Sequence, residues 1–248
     1  MMIYLYSIIS VLIVSLISLI GVFALSLQDK FLRKYLFLLV SLAVGALLGD
    51  AFIHLIPEVF ETGGNSILLS IGIIIGIFIF FVLEKILHWH HHHDFENHSS
   101  HPIGNLVLIS DGIHNLIDGL IIGASYLVGI HVGIATTIAV ILHEIPQEIG
   151  DFGVLLHSGY SKVKAVWMNF LSALLAIIGV IITLLLGEMT TSFTLWLIPI
   201  AAGGFIYIAM SDLIPELQKT KEIKHSLIQL VVIAVGVGAM ALLFIVEM

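Results

Sequence analysis

The sequence predicts an all-α, polytopic membrane protein, and three observations carry that reading. Of the 248 residues, 59% are hydrophobic and 10% charged, and the mean hydropathy is +1.15, whereas a soluble domain is roughly a quarter charged. Apolar runs of about 20 residues recur along the chain, the length a helix needs to cross ~30 Å of hydrocarbon. The weak alternation of an outer-membrane barrel does not appear. Eight runs fit with short connections between them, so residues 1–248 read as one transmembrane domain with eight helices.

The chain has no cysteine. Disulfides and thiolate ligands are thereby excluded, and a metal would be held by His, carboxylate, amide or Met. The formal charge of −8 sits on helices and loops of a membrane protein, so it argues for neither nucleic acid nor an anionic lipid surface. The lipid bilayer and a second copy in a homodimer are the partners expected at this level, with no prosthetic group.

The first run, about residues 3–27, follows a start without Lys or Arg. It is too long for the apolar core of a cleaved signal and lacks a small-residue cleavage pattern, so it is expected to remain as a helix. The second and third runs fall at about 35–57 and 67–88. Between the third and fourth lies a His-rich stretch, expected as a flexible loop over 88–102. Its His90, His91, His92, His93, His98 and His101 can capture borderline divalent ions without prearranged geometry. The alternatives are an unstructured polar linker or an inserted tag, and the interleaved Asp94, His98 and His101 argue against a tag. The fourth and fifth runs, about 103–128 and 131–157, carry the polar chemistry. The last three fall at about 164–186, 194–216 and 226–246.

Orientation follows from the nine basic residues, because positive charge close to a helix end stays on the cytoplasmic side. Lys30, Arg33 and Lys34 lie between helices 1 and 2, and Lys85 ends helix 3. Lys162 and Lys164 fall between helices 5 and 6, and Lys219, Lys221 and Lys224 between 7 and 8. The odd-numbered connections are therefore expected inside, with both termini extracytoplasmic, and a prokaryotic cell membrane is the expected location.

Placing Ala43–Glu58 on Ala201–Glu216 reveals an internal repeat ending in HLIPE and DLIPE. Helices 2 and 7 would run in opposite directions, so the repeat would be inverted, as in many secondary transporters. The alternative is that LIPE merely closes a helix, since Pro often does so.

Charged side chains at membrane depth are costly and need partners or a cation. Asp111, His114, Asp118, His143, Glu144, Glu148 and Asp151 fall on two consecutive helices. At about 100° per residue, Ser110, His114, Asp118 and Ser125 share one quadrant of helix 4, with Asp111 and Asn115 beside them. On helix 5, His143, Glu144, Gln147, Glu148 and Asp151 share a broader sector, opposite Ile141, Ile145, Phe152 and Leu156. His114 with Asp118, and His143 with Gln147, are i, i+4 pairs that can each reach one ion, a donor set suited to Zn(II), Fe(II) or Mn(II). Pro146 frees the Leu142 carbonyl, which is tolerable where backbone lines a polar cavity. Gly119, Gly123, Gly150 and Gly153 are expected at close helix contacts. HEIPQ lacks the second His of the HExxH zinc-protease motif, Gln147 standing in its place. A membrane-embedded dimetal enzyme is the alternative functional class.

His114-Asn-Leu-Ile-Asp-Gly119 and His143-Glu-Ile-Pro-Gln-Glu-Ile-Gly-Asp151, with the His-rich stretch before them, resemble helices 4 and 5 of the ZIP (Zrt/Irt-like) metal transporters, in particular their histidine-rich branch. Gly49-Asp50, His54-Leu-Ile-Pro-Glu58 and Asp212-Leu-Ile-Pro-Glu216 resemble that family's helices 2 and 7. The resemblance implies a carrier, not an enzyme, with a binuclear site on helices 4 and 5 flanked by inverted three-helix repeats. It would move divalent metal, zinc foremost but also iron, manganese or cadmium, into the cytoplasm by alternating access. By position it implies His114, Asp118, His143 and Gln147 on the main ion, Asn115 and Glu144 on a second, and Asp118 and Gln147 as bridges. Gln147 departs from the His or Glu found there in the family and is a weaker ligand. Leu47 matches a further family ligand position but cannot serve. Asp50 and His54 are instead expected to receive ions at the entrance, and Asp111, Glu148 and Asp151 to line the pathway.

Overall fold

The computed structural model describes residues 2–20, 29–61, 66–93, 101–189, 191–219 and 222–247. These form eight helical rods. The first, α1 (Met2–Ile17), ends in a 3₁₀ turn at Ser18–Ile20, so the remainder of the predicted first helix, 21–27, lies outside the described residues. The others are α2 (Asp29–Gly49, continuing to Glu61), α3 (Ser66–His93), α4 (His101–Val128), α5 (Ile130–His157), α6 (Lys162–Ala173 and Leu175–Met189), α7 (Thr191–Tyr207, continuing to Gln218) and α8 (Ile223–Glu247). No strand occurs among the described residues.

Seven rods, α1 to α4 and α6 to α8, are long and apolar enough to cross a membrane. At 28 residues α5 is also long enough, but it is the helix interrupted by His143, Glu144, Gln147, Glu148 and Asp151. In α3 and α8 only 22% and 17% of the apolar span is buried, against 67% in α2 and 56% in α4. The first two therefore turn bare apolar faces outward, and α2 and α4 run through the interior.

Three helix pairs pack at backbone distance: α2 on α8, α3 on α7 and α4 on α6. Each seam is built from a glycine on either side. Gly45 faces the Ile233 carbonyl and Gly236 that of Leu42; Gly76 faces Ile200 and Gly203 faces Ile73; Gly119 faces Ala176 and Gly179 faces Leu116. A Cβ at any of the six would fall within 1.9 to 2.6 Å of a carbonyl oxygen, which explains why small residues are required. Gly123 similarly abuts Thr183, but Gly150 and Gly153 meet nothing within 4 Å. The expectation of close contact is thus corrected for those two: they sit on the exposed side of α5.

The HLIPE and DLIPE strings do not close helices. Each begins inside a π turn, Asp50–Leu55 or Ile208–Leu213, and runs on into one short α-helical stretch. In both copies the next N–H, of Ile56 or Ile214, bonds the carbonyl five residues back, Ala51 or Ala209. The physical cause is shared. Pro57 and Pro215 lack an N–H and their rings crowd the preceding turn, which widens to accommodate them. The repeat recurs in backbone conformation at the offset read from the sequence.

Two boundaries differ from expectation. Nothing in 77–93 is Gly or Pro, so α3 runs through the histidine run to His93 instead of giving way to a loop at 88. His90, His91, His92 and His93 therefore lie on a helix end, though their side chains, like that of His101, are outside what is described, as is His98 altogether. The other break is in α6 at Leu174. There the Ile177 N–H turns to the Leu174 carbonyl (3.1 Å), and the Ala173 carbonyl takes a hydrogen bond from Ser15 of α1 (2.9 Å).

Candidate metal centre

Helices α4 and α5 are antiparallel neighbours joined at Gly129, whose extended backbone (φ −175°) makes the turn. This brings the polar stripe of one helix against that of the other. His114, Asp118, His143 and Glu144 each offer a ligand atom, and these atoms all lie within 4.8 Å of one another. Asp118, His143 and Glu144 are fully buried, and the His114 side chain is 16% exposed.

The distances are those of a preformed cation cradle. His143 Nε2 stands 3.2 Å from Asp118 Oδ2, 3.6 Å from Glu144 Oε1 and 3.3 Å from His114 Nε2. His114 Nε2 is in turn 3.8 Å from Asp118 Oδ2 and 3.5 Å from Glu144 Oε1. His143 Nδ1 lies 3.1 Å from the Ala139 carbonyl, a contact in which the ring N–H donates. That fixes the tautomer and leaves the Nε2 lone pair turned to the centre. Both Asp118 oxygens and Glu144 Oε1 are buried without a hydrogen-bond partner. Such atoms are costly unless a cation completes them. The imidazoles are walled by Phe80 of α3 and Phe205 of α7, each edge-on at 6.1 Å.

A second group, Asp111, Glu144 and Glu148, also places its ligand atoms within 4.8 Å of one another. Among His, Asp and Glu side chains, Glu144 is the one common to both groups. Asp111 and Glu148 were expected to line the pathway, and their oxygens now converge on the second group. The Asn115 amide donates to Asp111 Oδ1 (2.8 Å), leaving its own Oδ1 buried without a hydrogen-bond partner. Gln147 faces Asp111, and Asp151 follows Glu148 along the same side of α5. Asp50 and His54 fall in neither group. They lie on the π turn of α2, 3.3 Å apart, and Asp50 Oδ2 accepts from Thr136 of α5 (2.9 Å).

Sequence reasoning missed the contribution of α6. Asn169 donates to Glu148 Oε2 and Ser172 to Asp111 Oδ2. Both are buried polar residues on an apolar helix, and that sequence signal was available.

The family model described as ZIP Zinc transporter matches residues 2–106 and 90–244, nearly the whole chain. The chain belongs to the ZIP zinc transporter family. It is an integral membrane protein. It is 31% identical over 284 residues to "Zinc transporter zipt-7.1" of Caenorhabditis briggsae, covering 86% of this chain and 72% of that one. It is 30% identical over 282 residues to "Zinc transporter ZIP13 homolog" of Drosophila melanogaster, covering 87% and 79%. Over 149 residues it is 41% identical to human "Zinc transporter ZIP10", covering 55% of this chain but only 18% of that protein's length. These relatives are animal proteins and lend no support to a prokaryotic location.

Proposed function

We propose that this ZIP-family chain carries divalent metal ions, zinc foremost, across a membrane into the cytoplasm by alternating access. The observation that supports this best is the convergence of two imidazole Nε2 atoms and two carboxylates on one buried point between α4 and α5. Neutral imidazole with carboxylate suits first-row divalent ions, and its 2-to-2 balance of neutral and anionic donors matches the charge of a dication. His114, Asp118, His143 and Glu144 hold the main ion. Asn115 and Gln147 contribute amide oxygen near the second group, where Asp111, Glu144 and Glu148 receive metal on its way past. Asp151 continues the path, and Asp50 and His54 serve the opposite, entrance side. The dimetal-enzyme alternative is set aside, because the family that matches the chain is one of transporters.

Eight crossings, α5 included, place the chain's basic residues consistently on one side, with both termini extracytoplasmic. The inverted relation of the α2 and α7 repeats agrees with that count. The His run at the end of α3 then lies on the cytoplasmic side and captures metal there, as in the histidine-rich branch, and a homodimer is the proposed assembly. The decisive experiment uses purified protein alone in sealed vesicles. Saturable uptake of zinc is expected; binding of zinc without its movement would overturn the carrier reading.

A further inference from the structure

We propose that Asn169 and Ser172 of α6 are positioning residues that govern how fast metal leaves the His-containing group through Asp111 and Glu148. The proposal rests on the transport reading above. Its ground is that α6, a helix with no charged residue between Val166 and Gly187, supplies a hydrogen-bond donor to each of these two carboxylates.

The Asn169 amide nitrogen reaches both Glu148 Oε2 and, at 3.3 Å, the Glu148 main-chain carbonyl. It therefore fixes the side chain relative to its own backbone and leaves Glu148 Oε1, buried and without a hydrogen-bond partner, as the atom turned to a cation. Asp111 is gripped from two sides, by Asn115 at Oδ1 and Ser172 at Oδ2. Ser172 has a single hydroxyl proton but three acceptors in reach: Asp111, the Asn169 carbonyl (2.8 Å) and the Met168 carbonyl (3.3 Å). When a passing cation takes over Asp111 Oδ2, the hydroxyl can rotate to its own helix without leaving a donor unsatisfied. A donor that lets go at little cost suits a transfer point better than a fixed ligand does.

Local backbone makes the arrangement possible. The break at Leu174 comes two residues after Ser172 and is stabilised by the Ser15 hydroxyl on the freed Ala173 carbonyl. The polar turn carrying Asn169 and Ser172 packs against both α4 and α5, while the rest of α6 keeps the Gly119–Gly179 seam. The group it serves precedes His114 on α4 and follows His143 on α5, on the same side of the His-containing group in both antiparallel helices.

The test measures initial zinc uptake against zinc concentration in vesicles, together with equilibrium zinc binding. Asn169→Ala should lower the maximal rate about tenfold, the lower end of outer-shell effects, with half-saturation and tight binding close to parent. Ser172→Ala should lower it likewise, and Ser172→Thr, which keeps the hydroxyl, should restore it. In a Glu148→Ala background, Asn169→Ala should have no further effect, because its partner is gone. A parent-like rate in Asn169→Ala, or an equal loss in both backgrounds, overturns the proposal. Should Asn169→Ala fail to assemble, equal rates in Ser172→Ala and Ser172→Thr overturn it on their own. Absence of uptake by the parent protein would instead overturn the transport reading, whatever the α6 variants do.

Discussion

The Nε2 atoms of His114 and His143 lie 3.3 Å apart on separate helices, while His143 Nδ1 is committed to the Ala139 carbonyl. Two ring nitrogens this close cannot both carry protons without repulsion, and a shared cation satisfies both lone pairs at once. Asp118 Oδ2, 3.2 Å from His143 Nε2, offsets the charge of such a cation. His143→Ala and Asp118→Ala are expected to lose more transport than the ~10–100-fold typical of outer-shell changes, with most tight zinc binding, in protein that still reaches the membrane. Parent-like uptake by His143→Ala would refute the two-helix site.

Glu148→Gln is the informative contrast. The amide can still accept from Asn169 through its oxygen, so the local hydrogen bond survives, but its NH2 group then stands where Oε1 was, and one cation-facing oxygen is lost with the charge. Tight binding, which rests on the His-containing group, should largely remain while the maximal uptake rate falls at least as far as in Asn169→Ala, and loss of binding as well would raise Glu148 to the rank of His143.

Imidazole nitrogens bind metal only when deprotonated, so capture releases protons. Zinc affinity at equilibrium should therefore fall on acidification. Isothermal titration in buffers of different ionisation enthalpy reads the proton release directly, and an affinity that does not fall on acidification would contradict imidazole ligation.

Orientation is checked by cysteine labelling. An impermeant reagent applied from outside should modify a cysteine at Thr191 and miss one at Ser99. Deleting His90–His93 should leave transport largely intact while altering metal capture; abolished uptake in a folded deletion would show the run to be part of the route.

Gly119→Ala and Gly150→Ala separate seam from surface. A Cβ at Gly119 would sit 1.9 Å from the Ala176 carbonyl oxygen, whereas one at Gly150 meets nothing within 4 Å. The first should destabilise by roughly 1–3 kcal/mol or more. The second should be neutral or gain up to ~1 kcal/mol of helix propensity. Thermal unfolding in detergent gives both values.

The helices and the two-helix site were legible because hydrophobicity and charge at membrane depth leave few choices. Seven spans meet length and apolarity, and the four side chains that converge between α4 and α5 all stand on the polar stripes of those two helices. Two things were hidden. The sharing of Glu144 between groups depends on how the α4 and α5 stripes face each other, and a helical projection of one strand of sequence carries no such information. Asn169 and Ser172 look like incidental polar residues until α6 is seen packed against α4 and α5. The π turns, too, follow from Pro57 and Pro215 only after the helix is seen to continue beyond them.

The paired glycines at the α2–α8, α3–α7 and α4–α6 seams have a mechanical meaning. Backbones in direct contact leave no side-chain layer between them to shear, so each pair behaves as a single strut. Any stroke that opens the cradle to one side and then the other must be taken up at the joints between struts, where α1 and α5 pack without such glycine-to-backbone contacts among the described residues.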